Sequence, residues 1–483
     1  MLQETGNVTC ADQSTIEGFY AACRCAVGVC SKINFSDLFI ADTFFWVDMH
    51  RQRHCNKLRF RPPLWQSRPN LIIIVALLRF KQLLLGIPNM SNDDAIVIAS
   101  AARTPMGGLQ GALSSAPASL LGSTAVRGAL TQAKLAPEAV EELLFGCVLP
   151  AAAGQSPARQ VALQAGLPNA VSTTTVNKVC GSGMKTIMMA HDQIKAGSND
   201  VVMAGGMESM SNAPYMLTKA RGGYRIGHDQ VLDHMMLDGL QDAGSGKPMG
   251  VFAQQTADAL GINRERMDTY AIESLSRAQA AIANGYFVNE IAPVEIAGRK
   301  GSVIVDTDEQ PGQAKIEKIP SLRAAFTKDG TITAANASSI SDGAAATLVM
   351  RMASAKSHGV KPLAKIVAHS SHAQLPAEFC LAPAQAINQC LNKAGWCAAE
   401  VDLFEINEAF AMVTLAAMDA LSLEHSKVNI HGGACALGHP LGASGNRIVV
   451  TLIHALRRTG GSKGIASLCI GGGEATALAV ELL

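Results

Sequence analysis

A cysteine with two spaced glycines stands at a strand-to-helix junction. The segment NKVCGSGMK (177–185) follows the β-rich run 172–176 and opens a stretch with helical periodicity. This order places Cys180 at a helix amino terminus, where unpaired N–H groups and the helix dipole favour a thiolate of lowered pKa. Gly181 and Gly183 remove side chains that would block a substrate approaching the sulfur. An inert core cysteine is the alternative, and the combination of strand, cysteine, glycines and helix favours the nucleophile.

A nucleophilic thiol needs a base, and the segment GHPLGASG (438–445) contains a histidine in a turn before a helix predicted over 446–458. His439 has glycine on one side and Pro440 on the other, in a loop too rich in glycine to bury much. We therefore expect His439 to face a ligand and to act as a general base.

Two further polar groups stand at predicted strand ends. Cys469 ends the apolar run 464–470 and precedes GGG (471–473), whose backbone N–H groups could be directed at an oxyanion. Asn407 opens the segment NEAFA (407–411), where its amide could hold a water or a carbonyl; a helix cap is the other interpretation.

Two cysteines, one histidine and one asparagine at strand or helix ends indicate acyl transfer through a thioester. One thiol would carry the acyl group. The second thiol would serve as a separate acid/base, which is useful if a proton must be moved on a carbon beside a carbonyl.

The elements that must position these groups alternate between short β-rich runs and helical stretches, the pattern of a layered α/β protein. The predicted strands are 95–99, 172–176, 200–204, 364–368 and 464–470.

An internal repeat divides the chain into two similar halves. Three apolar residues recur at an offset of 261, each set in a helix that leads to an acidic-apolar strand: Leu130, Ala133 and Val140, and then Leu391, Ala394 and Val401. Both copies continue through a glycine-rich turn, a helix and a strand that ends in glycines. The stretch 207–335, with glycine- and methionine-rich loops and a helical part over 252–283, interrupts the pattern and is a candidate lid or ligand-binding region.

Composition excludes several classes of protein. The 483 residues are 48% hydrophobic and 16% charged, which excludes a disordered or highly charged chain. The 40 Lys and Arg nearly balance the 39 Asp and Glu, so we expect no nucleic-acid partner and no anionic membrane. The most apolar run, 71–78, is too short to span a bilayer.

Residues 1–89 differ in composition from the rest of the chain. They hold seven of the 14 phenylalanines and five of the 12 cysteines, with ten basic residues against six acidic ones. No secretory signal or zinc-binding cysteine spacing is present. SNDD and a strand-like run follow Met90 as at a natural start, and we therefore expect residues 1–89 to be a disordered leader or an over-long gene prediction.

Residues 91–483 resemble the thiolases, and specifically their short-chain acetyl-CoA acetyltransferase type. The resemblance rests on motifs in family order: NKVCGSG (177–183), NAS (336–338) with DGAAA (342–346), NEAFA (407–411), GHPLGASG (438–445) and CIGGG (469–473).

The resemblance implies a duplicated αβαβα layered α/β fold with an inserted loop domain. Residues 90–206 and roughly 336–360 would form the first half, residues 361–483 the second, and residues 207–335 a loop domain that binds CoA. It also implies the reversible condensation of two acetyl-CoA to acetoacetyl-CoA and CoA, with no metal and no redox cofactor, in a homo-oligomer that is expected to be a tetramer.

The resemblance assigns a role to each site residue. Cys180 would be acetylated, His439 would accept its proton, and Cys469 would remove a proton from the methyl of the second acetyl-CoA. Asn407, through a water, and His439 would stabilise the enolate oxygen, while the N–H groups of Cys180 and Gly471 would form a second oxyanion hole.

Two residues are expected to contact the substrate away from the reacting atoms. Ser338 matches a serine near the pantetheine, and Met249 matches a methionine that lines the acyl pocket. Short-chain thiolases often have histidine where this chain has Pro248, so acyl-chain length stays open.

Three other functions stay open at this point. A 3-ketoacyl-CoA thiolase of β-oxidation shares the chemistry with a wider pocket, and a ketoacyl-carrier-protein synthase shares the duplicated architecture but uses a second histidine. A non-catalytic acyl-CoA binding protein would not need the thiols. The remaining cysteines are expected to be core residues in a reducing cytoplasm.

Overall fold

The computed structural model describes residues 92–298 and 301–483. The expectations for residues 1–89 lie outside these ranges. The strands, in chain order, are β1 (Ile96–Arg103), β2 (Gly107–Gly108), β3 (Glu142–Gly146), β4 (Ser172–Val176), β5 (Val201–Ser209), β6 (Tyr215–Met216), β7 (Leu232–Asp233), β8 (Val294–Gly298), β9 (Gly301–Val305), β10 (Ser341–Arg351), β11 (Ala364–Ala373), β12 (Leu403–Ile406), β13 (Lys463–Ile470) and β14 (Glu474–Leu482).

The α-helices of the described residues are α1 (Ala118–Ala133), α2 (Pro157–Gln164), α3 (Ser182–Ala196), α4 (Met249–Leu260), α5 (Arg264–Ala283), α6 (Glu309–Gln313), α7 (Met352–Ser357), α8 (Ala382–Ala394), α9 (Ala411–Leu421), α10 (Ala434–Leu437) and α11 (Leu441–Thr459). No helix among them is both long enough and apolar enough to span a membrane.

The main sheet has pseudo-twofold symmetry. Its strand order is β12-β13-β14-β11-β1-β10-β5-β3-β4, with β2 paired to β10. In the first half β1 pairs with β10, and β10 with β5, both antiparallel, while β5 and β3 are parallel. In the second half β11 pairs with β14, and β14 with β13, both antiparallel, while β13 and β12 are parallel. The two halves are joined where β1 and β11 pair at only two positions, Val97 with Lys365 and Ile98 with Ala364.

Helices cover both faces of each half and give five layers. Helices α1 and α2 pack outside the first half-sheet, α8 covers the second, and α9 packs against α8. Helices α3 and α11 lie between the half-sheets, and α11 contacts strands of both. Nearly every residue over 441–456 is buried, as expected for a helix enclosed on all sides. The predicted duplicated αβαβα fold is confirmed.

The secondary-structure predictions are confirmed for all five strands, and the offset of 261 relates the starts of β3 and β12. One predicted helix has the wrong start, and one predicted helical stretch is interrupted. Helix α11 begins at Leu441 rather than 446, because its glycines form the tightly packed first turns of the helix instead of a loop. The stretch 252–283 is two helices, because Gly261 ends α4 with a φ of 64°.

The stretch between β5 and β10 carries the small hairpins β6–β7 and β8–β9 together with α4, α5 and α6. Helix α5 packs against α9 and α10, and α4 packs against α9. This stretch therefore lies against the segments that follow β12 in the second half.

Three glycines allow backbone-to-backbone contact between α3, α11 and β5. A Cβ at Gly206 of β5 would overlap the carbonyl oxygen of Gly442, and a Cβ at Gly183 of α3 would lie 2.9 Å from the same oxygen. A Cβ at Gly442 itself would overlap the carbonyl oxygen of Met207. Because the obstructing atoms are backbone, no side-chain rotation relieves the clash. The first turns of the two central helices are thereby held against the end of β5.

We predict that Gly206→Ala destabilises the protein by about 1–3 kcal/mol, the usual cost of overpacking a core. The denaturant midpoint, measured with an unchanged m-value, reports the loss. Gly222→Ala is the matched control, since a Cβ there meets no atom within 4 Å and its φ is not positive. Equal midpoints for the two variants would show that the backbone contact is not tight.

Candidate active site

Cys180 lies between β4 and α3, two residues before the first turn of α3. Val179 has a φ of 46°, a conformation that costs a β-branched residue about 1–3 kcal/mol. Two turn hydrogen bonds hold it: the N–H of Gly181 donates to the oxygen of Lys178, and the N–H of Ser182 donates to the oxygen of Val179, each at 3.0 Å. This strained turn sets the position of the sulfur.

The thiol of Cys180 is buried, and burial raises its pKa to about 11. The backbone N–H groups of Gly471 and of Cys180 itself act in the other direction, because they hydrogen-bond the thiolate. The expectation of a lowered pKa was wrong, since loss of solvation outweighs the helix terminus. The resting group is a thiol, and a base must remove its proton.

His439 lies two residues before α11, as Cys180 lies two residues before α3. These helices are pseudo-equivalent, and their first turns touch through Gly183 and Gly442. The imidazole is only 5% exposed, so the expectation of a poorly buried histidine was wrong. Burial and the positive charge of Arg447 lower its pKa to about 3, and the ring is neutral at rest.

The hydrogen-bond network assigns the tautomer of His439. The hydroxyl of Ser444 donates to the carbonyl oxygen of Pro440 at 2.8 Å, and its oxygen lies 2.6 Å from Nδ1 of His439. Since the hydroxyl proton is already used, Nδ1–H donates to the oxygen of Ser444. Nε2 therefore keeps its lone pair and is the nitrogen free to accept a proton.

Cys469 is the penultimate residue of β13 and is 1% exposed. Burial raises its pKa well above the ordinary thiol value, and the charges of Cys380 and Cys180 raise it further. A charge on Cys180 is thus felt at Cys469, and the two thiols resist ionising together. Cys469 is a second resting thiol beside the first.

Gly471 lies between the loop that carries Cys180 and Met249 of the predicted acyl pocket. A Cβ on Gly471 would lie 3.7 Å from Cγ1 of Val179 and 3.8 Å from Cε of Met249. Beside it, Lys178 forms an ion pair with Glu474, which joins the cysteine loop of one half to the start of β14 in the other. The glycine turn after β13 therefore borders both the nucleophile loop and Met249.

Asn407 follows β12 and is 1% exposed. Its Nδ2 lies 3.5 Å from each ring nitrogen of His439, and its Oδ1 accepts a hydrogen bond from Nη2 of Arg447 at 3.4 Å. Because the guanidinium can only donate, it orients the amide with the NH₂ group towards the histidine.

Ser338 is half-buried in an extended segment that ties two motifs together. Its N–H donates to the oxygen of Ala409 at 2.9 Å, while the next residue, Ser339, accepts the N–H of His439 at 3.1 Å. The NAS, NEAFA and GHP segments are thus joined through the backbone. A contact of the Ser338 side chain with pantetheine stays a prediction.

Three residues that position the site were missed from the sequence. Ser444 stands inside the quoted histidine motif, and Arg447 is a charged residue in the buried first part of α11, so either could have been noticed. Glu208 accepts hydrogen bonds from the N–H groups of Val148, Leu149 and Gly442 at 2.8–3.0 Å. Burial raises the pKa of Glu208 to about 7, although these hydrogen bonds oppose the shift.

Two compact halves with a thiol and an imidazole at the starts of paired central helices define a cysteine-containing member of the duplicated thiolase-type folds. The family model for the thiolase N-terminal domain matches residues 96–353, and that for the C-terminal domain matches residues 360–482. The chain belongs to the thiolase family.

Similar proteins match about four fifths of this chain and nearly the whole of their own length. Acetyl-CoA acetyltransferase 2 of Arabidopsis thaliana is 50% identical over 395 residues, which is 81% of this chain and 98% of that protein. The crystal structure of the Bacillus anthracis acetyl-CoA acetyltransferase has a TM-score of 0.79 at 40% identity, covering 81% of this chain and 99% of that one. An Ascaris suum thiolase in complex with coenzyme A has a TM-score of 0.76 at 41% identity, covering 80% and 100%.

We predict that alkylation of Cys180 by iodoacetamide accelerates about tenfold per pH unit from pH 7 to pH 10, because the thiolate fraction below the pKa rises in that proportion. Mass spectrometry of the peptide that contains Cys180 gives the rate. A short unstructured peptide with one cysteine, whose thiol has the ordinary pKa of about 8.5, is the control, and its rate levels off above about pH 9.5. A Cys180 rate that is flat above pH 7 would mean a lowered pKa.

We predict that Ser444→Ala lowers kcat for thiolysis of acetoacetyl-CoA by about 10- to 100-fold with little change in KM, because Nδ1 of His439 loses its partner and the ring its fixed tautomer. Thr459→Ala removes a similar hydroxyl-to-carbonyl hydrogen bond at the other end of α11 and should leave kcat unchanged. Equal rates for both variants would remove Ser444 from the site.

Proposed function

We propose that the chain is an acetyl-CoA C-acetyltransferase that condenses two acetyl-CoA molecules to acetoacetyl-CoA and CoA and catalyses the thiolytic reverse. The observation that carries the proposal is that opposite halves of the fold contribute two buried thiols, Cys180 and Cys469, near enough that the charge of Cys180 raises the pKa of Cys469. Binding alone needs neither thiol, and the names of the relatives favour the same activity.

The first half-reaction would acetylate Cys180. Nε2 of His439 accepts the thiol proton as the sulfur bonds to the acetyl carbon, and the carbon–sulfur bond to CoA breaks. Because Cys469 is a resting thiol, it must lose a proton before it can act as a base. We propose that the departing CoA thiolate takes that proton and leaves as the thiol.

The second half-reaction would form the carbon–carbon bond. The thiolate of Cys469 removes a proton from the methyl of the second acetyl-CoA, and the carbanion attacks the acetyl group on Cys180. The thiolate of Cys180 is expelled and recovers its proton from His439. All three groups return to their starting protonation states, so one cycle consumes two acetyl-CoA and releases one CoA with the product.

Two sets of donors would stabilise the oxyanions. The N–H groups of Gly471 and Cys180, which favour the thiolate form of Cys180, are suited to the tetrahedral oxygen at the acetylated cysteine. Asn407, with its NH₂ group directed towards His439, would hold a water that together with the imidazolium stabilises the enolate oxygen.

The side chains around Cys469 are proposed to limit the length of the acyl chain. Phe379 and Phe410 share a buried cluster with Cys469, and Met249 and Phe326 pack against that cluster. The ring of Phe410 contacts those of Phe326 and Phe379 edge-on, with centroids 6.0 and 6.4 Å apart. These bulky groups favour an acetyl-sized acyl chain over the long chains of the β-oxidation type.

CoA itself is proposed to lie against the stretch 207–335, with Ser338 near the pantetheine and Met249 at the acyl end. The position of Met249 beside Gly471 supports this orientation. The thioester supplies both the acidity of the methyl and the leaving group, so we propose that the reaction uses no metal and no redox cofactor.

The oligomeric state and the cellular compartment are also proposals. Among the described residues β4 pairs only with β3, and its free edge could pair with a second copy. We propose a homo-oligomer, a tetramer by family resemblance. The cysteines of the described residues are free thiols, which supports a reducing compartment such as the cytoplasm. A role in lipid metabolism is proposed from the acetoacetyl-CoA product alone.

We predict that two partial reactions separate the roles of the thiols. Exchange of labelled CoA into acetyl-CoA needs Cys180 as the nucleophile and uses Cys469 only to protonate the departing CoA, whereas condensation also needs Cys469 to remove the methyl proton. Cys180→Ser should lower both rates by at least about 100-fold, and Cys469→Ser should lower condensation by a similar factor while exchange continues at a less reduced rate, because water can protonate the departing CoA.

The exposed Cys397, replaced by serine, is the control and should change neither rate. Retained condensation in Cys180→Ser would overturn the nucleophile assignment. The rates at which the natural sequence thiolyses acetoacetyl-CoA and a C8 3-ketoacyl-CoA are compared to test the chain-length preference. Faster turnover of that substrate than of acetoacetyl-CoA would favour the β-oxidation type.

A further inference from the structure

Two histidines and an aspartate meet where the two halves of the fold face each other. His191 and Asp192 lie on α3 of the first half, and His369 lies on β11 of the second. His191 is eleven residues beyond Cys180 along the chain, or about 15 Å along the helix axis, so this cluster is separate from the catalytic thiols.

One atom of each side chain is directed at a common point. Oδ1 of Asp192 lies 2.9 Å from Nδ1 of His191 and 2.9 Å from Nε2 of His369, and the two ring nitrogens are 3.2 Å apart. The rings stand edge-on, with an interplanar angle of 83°. These three atoms form a nearly equilateral triangle.

That triangle has the dimensions of one face of a metal tetrahedron. Zinc bound to imidazole nitrogen or carboxylate oxygen at about 2.0–2.1 Å places neighbouring ligand atoms about 3.4 Å apart. The observed separations of 2.9–3.2 Å reach that value with shifts of a few tenths of an ångström. As hydrogen bonds, both rings can donate an N–H to the one carboxylate oxygen, but the two donor nitrogens are then only 3.2 Å apart, a contact that a shared metal ion would make favourable.

The surroundings offer a protected position that is open on one side, and Lys195 and Lys393 add positive charge near the two imidazoles. The imidazoles are largely buried, with side-chain exposures of 14% and 16%, and the carboxylate is 58% exposed, which leaves one side open to solvent. Burial lowers the pKa of both histidines. Neutral rings and a carboxylate are the forms that coordinate a metal.

We propose that His191, Asp192 and His369 form a binding site for a borderline divalent cation, represented by Zn²⁺, with water as the fourth ligand. The ligand set of two imidazoles and one carboxylate is common for zinc. The ion would join the central helix of the first half to a strand of the second, in addition to the short β1·β11 junction, and would take no part in the thiol chemistry.

The test uses the full chain, stripped of metal with a chelator and titrated with Co²⁺ and Zn²⁺. Cobalt distinguishes this site from adventitious binding to cysteines, because thiolate ligands give intense near-ultraviolet charge-transfer bands and a nitrogen and oxygen site gives only weak visible bands. We expect one equivalent of the second type, and a thermal midpoint that rises when Zn²⁺ is added.

The double variant His191→Gln/His369→Gln keeps polar side chains and should lose the visible bands, the thermal shift and at least about tenfold in Zn²⁺ affinity. His372→Ala is the matched control. It lies on the same strand, but its ring hydrogen-bonds Gln374 and Gln389 instead, so it should behave as the natural sequence does.

Equal Co²⁺ spectra and equal Zn²⁺ affinity in the natural sequence and the double variant would overturn the proposal, as would spectra of the thiolate type alone. The cluster would then be a hydrogen-bonded link between the halves. If the double variant fails to fold, Asp192→Asn gives the same comparison from an exposed position, with a weakened site expected.

Discussion

The contact between the first turns of α3 and α11 is the constraint on which the site depends. Gly183 and Gly442 bring the two backbones together, and Gly206 lets the end of β5 reach the same point. Cys180 and His439 each stand two residues ahead of one of these helices. A methyl group at the contact would therefore move the two helix starts apart and displace the nucleophile from its base.

Burial sets the resting state of the chemistry. It raises the pKa values of both thiols and lowers that of His439, so the site holds neutral groups until a substrate arrives. Beside these groups, a guanidinium nitrogen of Arg447 lies 3.8 Å from a carboxyl oxygen of Glu405, whose pKa burial raises to about 8, and the guanidinium orients Asn407. In a site with little solvent, this network also orients the groups that would meet a developing oxyanion.

The duplication explains how one fold provides two different thiols. At the offset of 261, Cys147 and Glu208 of the first half correspond to Glu408 and Cys469 of the second. In the first half the acid binds three backbone N–H groups, with the thiol of Cys147 3.7 Å from it. In the second half Glu408 binds Tyr270 and Ser274, and the thiol stands at the end of β13 beside Cys180. The cysteine and the glutamate thus stand at opposite positions in the two halves. In the first half they form a structural pair, and in the second half the cysteine lies beside the nucleophile.

The sequence by itself determined the duplicated layered fold, its strands, the family and the candidate residues. The reason is that hydrophobic periodicity is set by neighbouring residues, and the motifs can be matched in order along the chain without knowing their positions in space. The sequence failed for the start of α11, the burial of His439 and the direction of the Cys180 pKa shift. The start of α11 was missed because a run of glycines predicts a turn, whereas here the glycines permit close packing of a helix. The burial of His439 and the pKa of Cys180 were missed because solvation depends on atoms from distant parts of the chain. Only the tertiary structure decided the tautomer of His439, the role of Arg447 and the meeting of His191 with His369, because each depends on segments that come together only when the halves pack.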